Sequence, residues 1–226
     1  MNKKLIVAID GPSGAGKSTL SKALAHQLNY INIDTGAMYR SVALMAQRQD
    51  INLDNQDALQ ALCNELTIEF IRSTDAETVL VNGEDVSSAI RTPEVSLLTA
   101  KVAASPVVRE AMVEQQRNMG KSGGVVLEGR DIGSVVFPDA HVKFFLSATA
   151  RERGRRRYDE LCAKGIVVDL EQTIADVELR DQADSEREHA PLVQAEDAVP
   201  IDSTQMSIDE VLAEMVRLVK IKEEII

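Results

Sequence analysis

Apolar residues follow two rhythms along this chain. Leu5-Ile6-Val7-Ala8-Ile9 is an unbroken run with the length of a strand buried on both faces. A polar, glycine-rich stretch follows, and then Leu20, Ala23, Leu24 and Leu28 recur at the spacing of one helix face. Tyr30-Ile31-Asn32-Ile33 reads as a second short strand ending in Asp34-Thr35-Gly36. A helix comes next, with Tyr39 and Arg40 at its start and Met38, Val42 and Met45 at helical spacing. Asp54 is expected to cap a short helix running to Cys63.

The rhythm then changes. Leu66-Thr67-Ile68-Glu69-Phe70 alternates like a half-buried strand, Thr78-Val79-Leu80-Val81 is another, and Asn82-Gly83 is a two-residue hairpin signal leading into Glu84-Asp85-Val86. A small antiparallel sheet is foreign to a parallel strand–helix–strand core, so residues 64–92 are expected to form an inserted lobe. Helices resume at Thr92-Pro93-Glu94 and at Ser105-Pro106, where the hydroxyl residue caps and proline occupies the first turn. Gly120–Gly124 ends the second of these.

Val125-Val126-Leu127 and Val142-Lys143-Phe144-Phe145-Leu146 are core strands, and Ala198-Val199-Pro200-Ile201 is a last short one. Between them, Thr149 and Glu152 form a capping box, and Asp169 caps a further helix. The final helix opens on a Ser207–Glu210 box, with Ile208, Val211, Leu212, Met215 and Leu218 as its core face. The expected fold is therefore α/β with a mostly parallel central sheet. We read 1–226 as one domain: a core of about 1–63, 93–148 and 166–226, the lobe at 64–92, and a helical lid at about 149–165.

Composition narrows the function classes. The 226 residues are 44% hydrophobic and 27% charged, the balance of a globular protein with one sizeable core. A net charge of −11 argues against a general nucleic-acid binder, so anionic ligands must be met by local basic clusters. The apolar runs are too short to cross a bilayer, and Lys3 and Lys4 lead directly into the first strand without a leader-type segment. A cytoplasmic protein is expected. Cys63 and Cys162 lack metal-type spacing, and His26, His141 and His189 have no companion arrangement.

The candidate chemistry begins with Gly11-Pro12-Ser13-Gly14-Ala15-Gly16-Lys17-Ser18-Thr19, set between a strand and a helix. Glycines let successive backbone N–H groups converge on one concavity, and the next helix adds the positive end of its dipole. Lys17 reaches the β- and γ-phosphates of a nucleoside triphosphate, and the Ser18 hydroxyl is placed for Mg²⁺. The fold expected around such a loop is a phosphate-loop three-layer sandwich. Glu128-Gly129-Arg130-Asp131, at the carboxyl end of an apolar strand, reads as a metal-holding acidic segment or as a capped turn. Arg151, Arg153, Arg155, Arg156 and Arg157 read as an anion-closing lid or, with Asp159 and Glu160 nearby, as a salt-bridged face. Arg180, Asp184 and Arg187 are spaced to share one helix face, as a ligand site or as a plain ion pair. Arg40 taken alone reads equally as a solvated helix charge.

Taken together, Gly11–Thr19 (GPSGAGKST), Asp34–Arg40 (DTGAMYR), Gly129–Ala140 (GRDIGSVVFPDA) and Arg180–Arg187 (RDQADSER) resemble the bacterial cytidylate kinase family over essentially the whole chain. The resemblance implies γ-phosphoryl transfer from ATP to CMP or dCMP with Mg²⁺, in a cytoplasmic monomer whose inserted lobe binds the monophosphate. By matching positions it implies cytosine contacts from Thr35, Arg109 and Arg187, and sugar contacts from Arg180 and Asp184. It likewise implies acceptor-phosphate contacts from Arg40 and Arg130. Lys17 with Arg153, Arg156 and Arg157 would neutralise developing charge, and Ser18 with Asp131, through water, would hold the metal. Ala100 stands where that family usually has a sugar-binding serine, and Ser18 where some members have glycine. Rivals are another small-acceptor kinase and a regulatory nucleotide-binding module, although the chain has no N-K-x-D guanine-reading motif.

Overall fold

A computed structural model describes residues 4–72, 77–187 and 190–225; the reading of His189 lies outside them. In chain order the elements are β1 (Ile6–Asp10), α1 (Lys17–Leu28), β2 (Ile31–Asp34), α2 (Thr35–Arg48), α3 (Gln56–Glu65), β3 (Ile68–Arg72), β4 (Glu77–Val81) and β5 (Glu84–Asp85). They continue with α4 (Pro93–Ala104), α5 (Pro106–Gly120), β6 (Val125–Gly129), β7 (Val142–Ser147), α6 (Ala150–Ala163), α7 (Leu170–Ser185), β8 (Val199–Asp202) and α8 (Ile208–Ile225). The chain divides into two compact units, one made of the residues up to Asn32 and from Gly123 onward, the other of Ile33–Ser122.

The first unit is built on a five-stranded sheet in the order β2-β6-β1-β7-β8. β1 runs parallel to β6 and to β7, with Val7 opposite Val126 and Val142, and β7 runs parallel to β8. Val7, Ile9 and Phe144 on one sheet face pack with Leu20 and Leu24 of α1 and with Val211, Met215 and Val219 of α8. Each of these hydrophobic groups removed from water contributes roughly 1.5–3 kcal/mol, which holds the sheet rigid beneath the loops at its carboxyl ends. Tyr30 fastens the lower end of β1, its hydroxyl accepting the Leu5 N–H at 3.0 Å. His141 does the same for Ile6, through Nδ1 at 3.0 Å.

The second unit has helices α2 to α5 and a three-stranded sheet, β3-β4-β5. β3 pairs antiparallel with β4, and Asn82 and Gly83 take φ of 50° and 83° at the next turn. Two consecutive positive φ values are those of a type I′ hairpin, as the Asn-Gly pair predicts. Arg48 at the end of α2 grips Glu84 with two hydrogen bonds of 2.9 and 3.0 Å. Gln115 of α5 donates to the Leu66 carbonyl at 2.8 Å.

Several element ends differ from expectation, each for a local reason. α2 starts at Thr35, earlier than the helix expected after Gly36, because Asp34 caps it by accepting the Ala37 N–H at 2.9 Å. Asn55, not Asp54, caps α3, and Ser105 makes no side-chain cap to α5 because its hydroxyl donates to Gln56 instead. Thr149 accepts from the Glu152 N–H, but Glu152 turns to Arg155 and Arg156 and does not close the box. The Ser207–Glu210 box is complete in both directions. α7 ends at Ser185, leaving Arg187 beyond the helix whose face it was expected to share. Ile208 is exposed, and Val219 takes the buried position on α8.

Candidate active site

The loop after β1 uses its glycines as the sequence requires. Gly11, Gly14 and Gly16 have φ of 147°, 78° and 92°, values that L side chains rarely adopt. α1 begins at Lys17 behind Gly16, with no side-chain cap and no acidic residue in its first turn. Its leading N–H groups are therefore offered to an anion. Lys17 is buried and its Nζ donates to the Pro12 carbonyl at 2.7 Å, inside the loop. Burial, reinforced by the nearby positive charges of Arg130 and Arg180, pulls its ammonium down to about 7 against the opposite pull of Glu128 and Asp10. Ser18 and Thr19 stand exposed on the first turn of α1.

At the carboxyl end of β6 the same unit gathers a charged cluster. Arg130 Nε donates to Asp184 Oδ2 at 2.6 Å, and Arg187 Nη2 donates to the other oxygen, Oδ1. Asp184 is almost fully buried. Burial alone would raise its carboxyl, but Arg130, Arg187 and Arg180 together hold it below the usual carboxylate range. The ion pairs thus contribute stability above pH 3.8 that is lost as the pH falls through the depressed folded value. Asp131 is buried, and its charge is felt by Asp10.

The arginines of α6 have partners already. Arg153 is buried: it donates to Ser13 O at 2.9 Å and Ala148 O at 2.8 Å, and it forms a two-pronged pair with Asp181. Arg156 donates to Glu152 and to the hydroxyl and carbonyl of Ser203. Arg155 and Arg157 form exposed pairs with Glu152, Asp159 and Glu160, while Arg151 faces Glu171 at 3.8 Å. Exposed pairs of this kind are worth at most about 1 kcal/mol and exchange partners readily. The buried Arg153 pair does not.

In the second unit, Arg40 donates to Asp34 Oδ2 at 2.8 Å on the first turns of α2. Gly36 lies between them, and a Cβ there would come within 3.1 Å of Asp34 Oδ1 and 3.2 Å of Arg40 Nη1, so those side-chain ends would have to shift. Thr35 is buried at the start of α2. Arg109, also buried, holds its guanidinium 5.9 Å from the centre of the Tyr39 ring. Ala100 offers no hydroxyl, and the neighbouring Thr99 donates its own to the Val95 carbonyl at 2.6 Å.

Sequence reasoning missed Asp10 and Asp181. Asp10 ends β1 one residue before the glycine loop, and an acidic residue in that position was the available signal. Asp181 carried none beyond its place next to Arg180.

Comparison with known proteins gives one consistent result. Residues 7–221 match the family described as cytidylate kinase. A cytidylate kinase of Syntrophotalea carbinolica is 64% identical over 225 residues, covering 100% of this chain and 96% of that protein. One from Geobacter sulfurreducens is 60% identical over 219 residues, covering 97% and 94%. One from Bacillus subtilis is 47% identical over 222 residues, covering 98% and 99%.

Proposed function

The chain belongs to the cytidylate kinase family, and on that premise we propose that it transfers the γ-phosphoryl group of ATP to CMP or dCMP, giving ADP and CDP or dCDP. The observation that carries this reading is the glycine loop itself: Gly11, Gly14 and Gly16 at positive φ, an α1 N-terminus without a side-chain cap, and buried Lys17 with its Nζ on the Pro12 carbonyl inside the loop. Arg130 stands close by, paired with Asp184, and such a loop beside guanidinium groups suits the phosphates of two nucleotides.

Phosphoryl transfer through a loose transition state needs positioning and charge neutralisation more than proton transfer. Lys17 and the leading N–H groups of α1 hold the β- and γ-phosphate oxygens. Arg40 and Arg130 grip the acceptor phosphate and aim its oxygen at the γ-phosphorus. Thr35, Arg109 and Arg187 read the base: cytosine presents an acceptor at N3 where uracil presents a donor, so guanidinium N–H groups favour CMP. Arg180 and Asp184 take the sugar. On α6, Arg157 leaves its exposed pair with Glu160 at little cost to meet the transferring group, and Arg156 joins it. Arg153 supports the reaction from below, through the Ser13 carbonyl.

The hydroxyl of Ser18 and the carboxylate of Asp131 are hard oxygen donors of the kind Mg²⁺ takes alongside phosphate and water. Ser18 and, through water, Asp131 would hold the ion, which when bound neutralises phosphate charge. The reading carries with it a cytoplasmic monomer with no nucleic-acid or membrane partner. Among the described residues no helix is long and apolar enough to cross a membrane.

The deciding experiment is ADP formation from ATP with CMP, dCMP, UMP and AMP as acceptors. CMP and dCMP are expected to exceed UMP and AMP by at least tenfold in kcat/KM, and Arg187→Met is expected to shrink the CMP-to-UMP ratio. Equal use of all four, or no acceptor-dependent ADP, would reject the assignment. Asp184→Asn is expected to lower kcat/KM for CMP by about 100-fold, because one neutral oxygen then faces two guanidinium groups (about 2.7 kcal/mol). An unchanged KM and kcat for CMP would remove Asp184 from the acceptor site.

A further inference from the structure

The carboxylate of Asp10 is buried at the carboxyl end of β1 and has no part in the chemistry described so far. Both of its oxygens are engaged. Oδ1 accepts the Ile132 N–H at 2.8 Å and Oδ2 accepts the Gly133 N–H at 2.7 Å. Those are the two amides directly after Arg130 and Asp131, while Asp10 itself directly precedes Gly11 of the phosphate loop. The carboxylate thus bridges 122 residues of sequence to join the root of one functional segment to the root of the other.

The turn it holds is unusual. Ile132–Val136 is a single π-helical turn, in which the N–H groups of Val135 and Val136 both reach the Asp131 carbonyl, at 2.9 and 3.1 Å. Turns of this kind are rare and collect at functional sites. Its far end is fastened too: Lys143 of β7, buried, donates to the Pro138 carbonyl and to Asp197. A Cβ on Gly133 would lie 3.0 Å from Lys143 Cδ and 3.3 Å from Asp10 Oδ2, so the backbone there is pressed between the two side chains.

Holding a carboxylate in this place works against its own ionisation. Burial pushes Asp10 up to about 6, against the two amides and Lys17, which favour the charged form. A turn that merely needed closing would be served by a neutral acceptor at less cost. Two equivalent acceptor oxygens on one rigid group, by contrast, set both the distance and the tilt of the turn.

We propose that Asp10 is a positioning residue for phosphoryl transfer, locking the Arg130–Asp131 turn to the strand end from which the phosphate loop springs. The inference rests on the kinase reading above. Asp10 touches neither nucleotide; it acts through the placement of Arg130 against the acceptor phosphate and of Asp131 beside it. Losing it loosens the acceptor side of the reaction while leaving the glycine loop and Lys17 able to bind triphosphate.

The test is a steady-state comparison of the unsubstituted protein with Asp10→Ala, Asp10→Asn and Gly133→Ala, alongside their melting temperatures. Asp10→Ala is expected to lower kcat by about 100-fold and to raise KM for CMP several-fold, with KM for ATP changed less than threefold. Asp10→Asn keeps one acceptor oxygen and is expected to recover kcat to within about tenfold of the unsubstituted protein. Gly133→Ala removes no charge, and it is expected to reproduce the fall in kcat by displacing the turn. Full turnover in Asp10→Ala would overturn the inference alone. So would a loss shared equally by Asp10→Ala and Asp10→Asn and matched by a fall in melting temperature. Absence of acceptor-dependent ADP formation in the unsubstituted protein would instead reject the kinase reading, and the inference with it.

Discussion

Lys17→Met is expected to lower kcat by about three orders of magnitude while the protein remains folded, a loss of about 4 kcal/mol of transition-state stabilisation. Lys17 sits in a backbone cradle with its Nζ on the Pro12 carbonyl, so methionine fills the same space without its charge. Removing a buried cation that stands near Arg130 and Arg180 also relieves repulsion. The melting temperature should therefore hold or rise while turnover collapses, and near-normal turnover would remove Lys17 from the mechanism. A second readout belongs to the same residue. With its ammonium pulled down to about 7 in the free protein, Lys17 is half neutral at that pH. A bound polyphosphate favours the charged form and raises the value. Binding above pH 7 must then take up a proton, and ATP affinity should fall by up to tenfold per pH unit from there upward. Titration calorimetry in buffers of different ionisation enthalpy measures that uptake directly, and Lys17→Met should abolish it.

Gly11→Ala is expected to do the opposite, weakening the fold before the chemistry is reached. At φ 147° a new Cβ would lie 2.0 Å from the Leu146 carbonyl oxygen and 3.0 Å from its carbon. Both atoms are main chain of β7, which is paired with β1 through Phe145 opposite Asp10, so neither yields without shifting the sheet. The penalty is expected to be about 4 kcal/mol or more, which lowers the melting temperature of a chain this size by about 10 °C or more. A folded Gly11→Ala protein melting within about 2 °C of the unsubstituted one would show that the loop relaxes independently of the sheet. The two substitutions lie six positions apart and separate what the loop does for the fold from what it does for the reaction.

The hydrophobic rhythm made most of the architecture legible. Core strands, the Asn-Gly hairpin and the proline-led helices all stand where the pattern places them, because the signal for each lies within a few neighbouring residues. Errors fell where a side chain had a choice of partners, near or far. Gly36 reads as a loop residue, yet it lies in the first turn of α2, where its missing Cβ leaves room for the Asp34–Arg40 pair. Ser105 reads as a cap, yet Gln56, 49 residues away in sequence, takes its hydroxyl. Glu152 reads as half of a reciprocal cap, yet two arginines on its own helix outcompete one backbone N–H. Arg187 reads as sharing a helix face with Asp184, yet α7 ends at Ser185 and Arg187 meets Asp184 as an ion pair from beyond it.

By itself the sequence determined the glycine loop between strand and helix, the residue types able to meet phosphate, and the family to which both belong. Those are properties of short segments, set by backbone freedom and by the charge each residue carries wherever it lies. Only the tertiary structure decided which carboxylate answers which cation: Asp184 for Arg130 across 54 positions, Asp181 for Arg153 across 28, and Asp10 for the turn after Asp131. Such pairings depend on strand order and on how closely helices approach. Gly154 shows this, since a Cβ there would lie 2.4 Å from Ile174, so α6 and α7 meet at a distance that only glycine allows. Spacing along the chain carries no record of that distance; packing in three dimensions sets it.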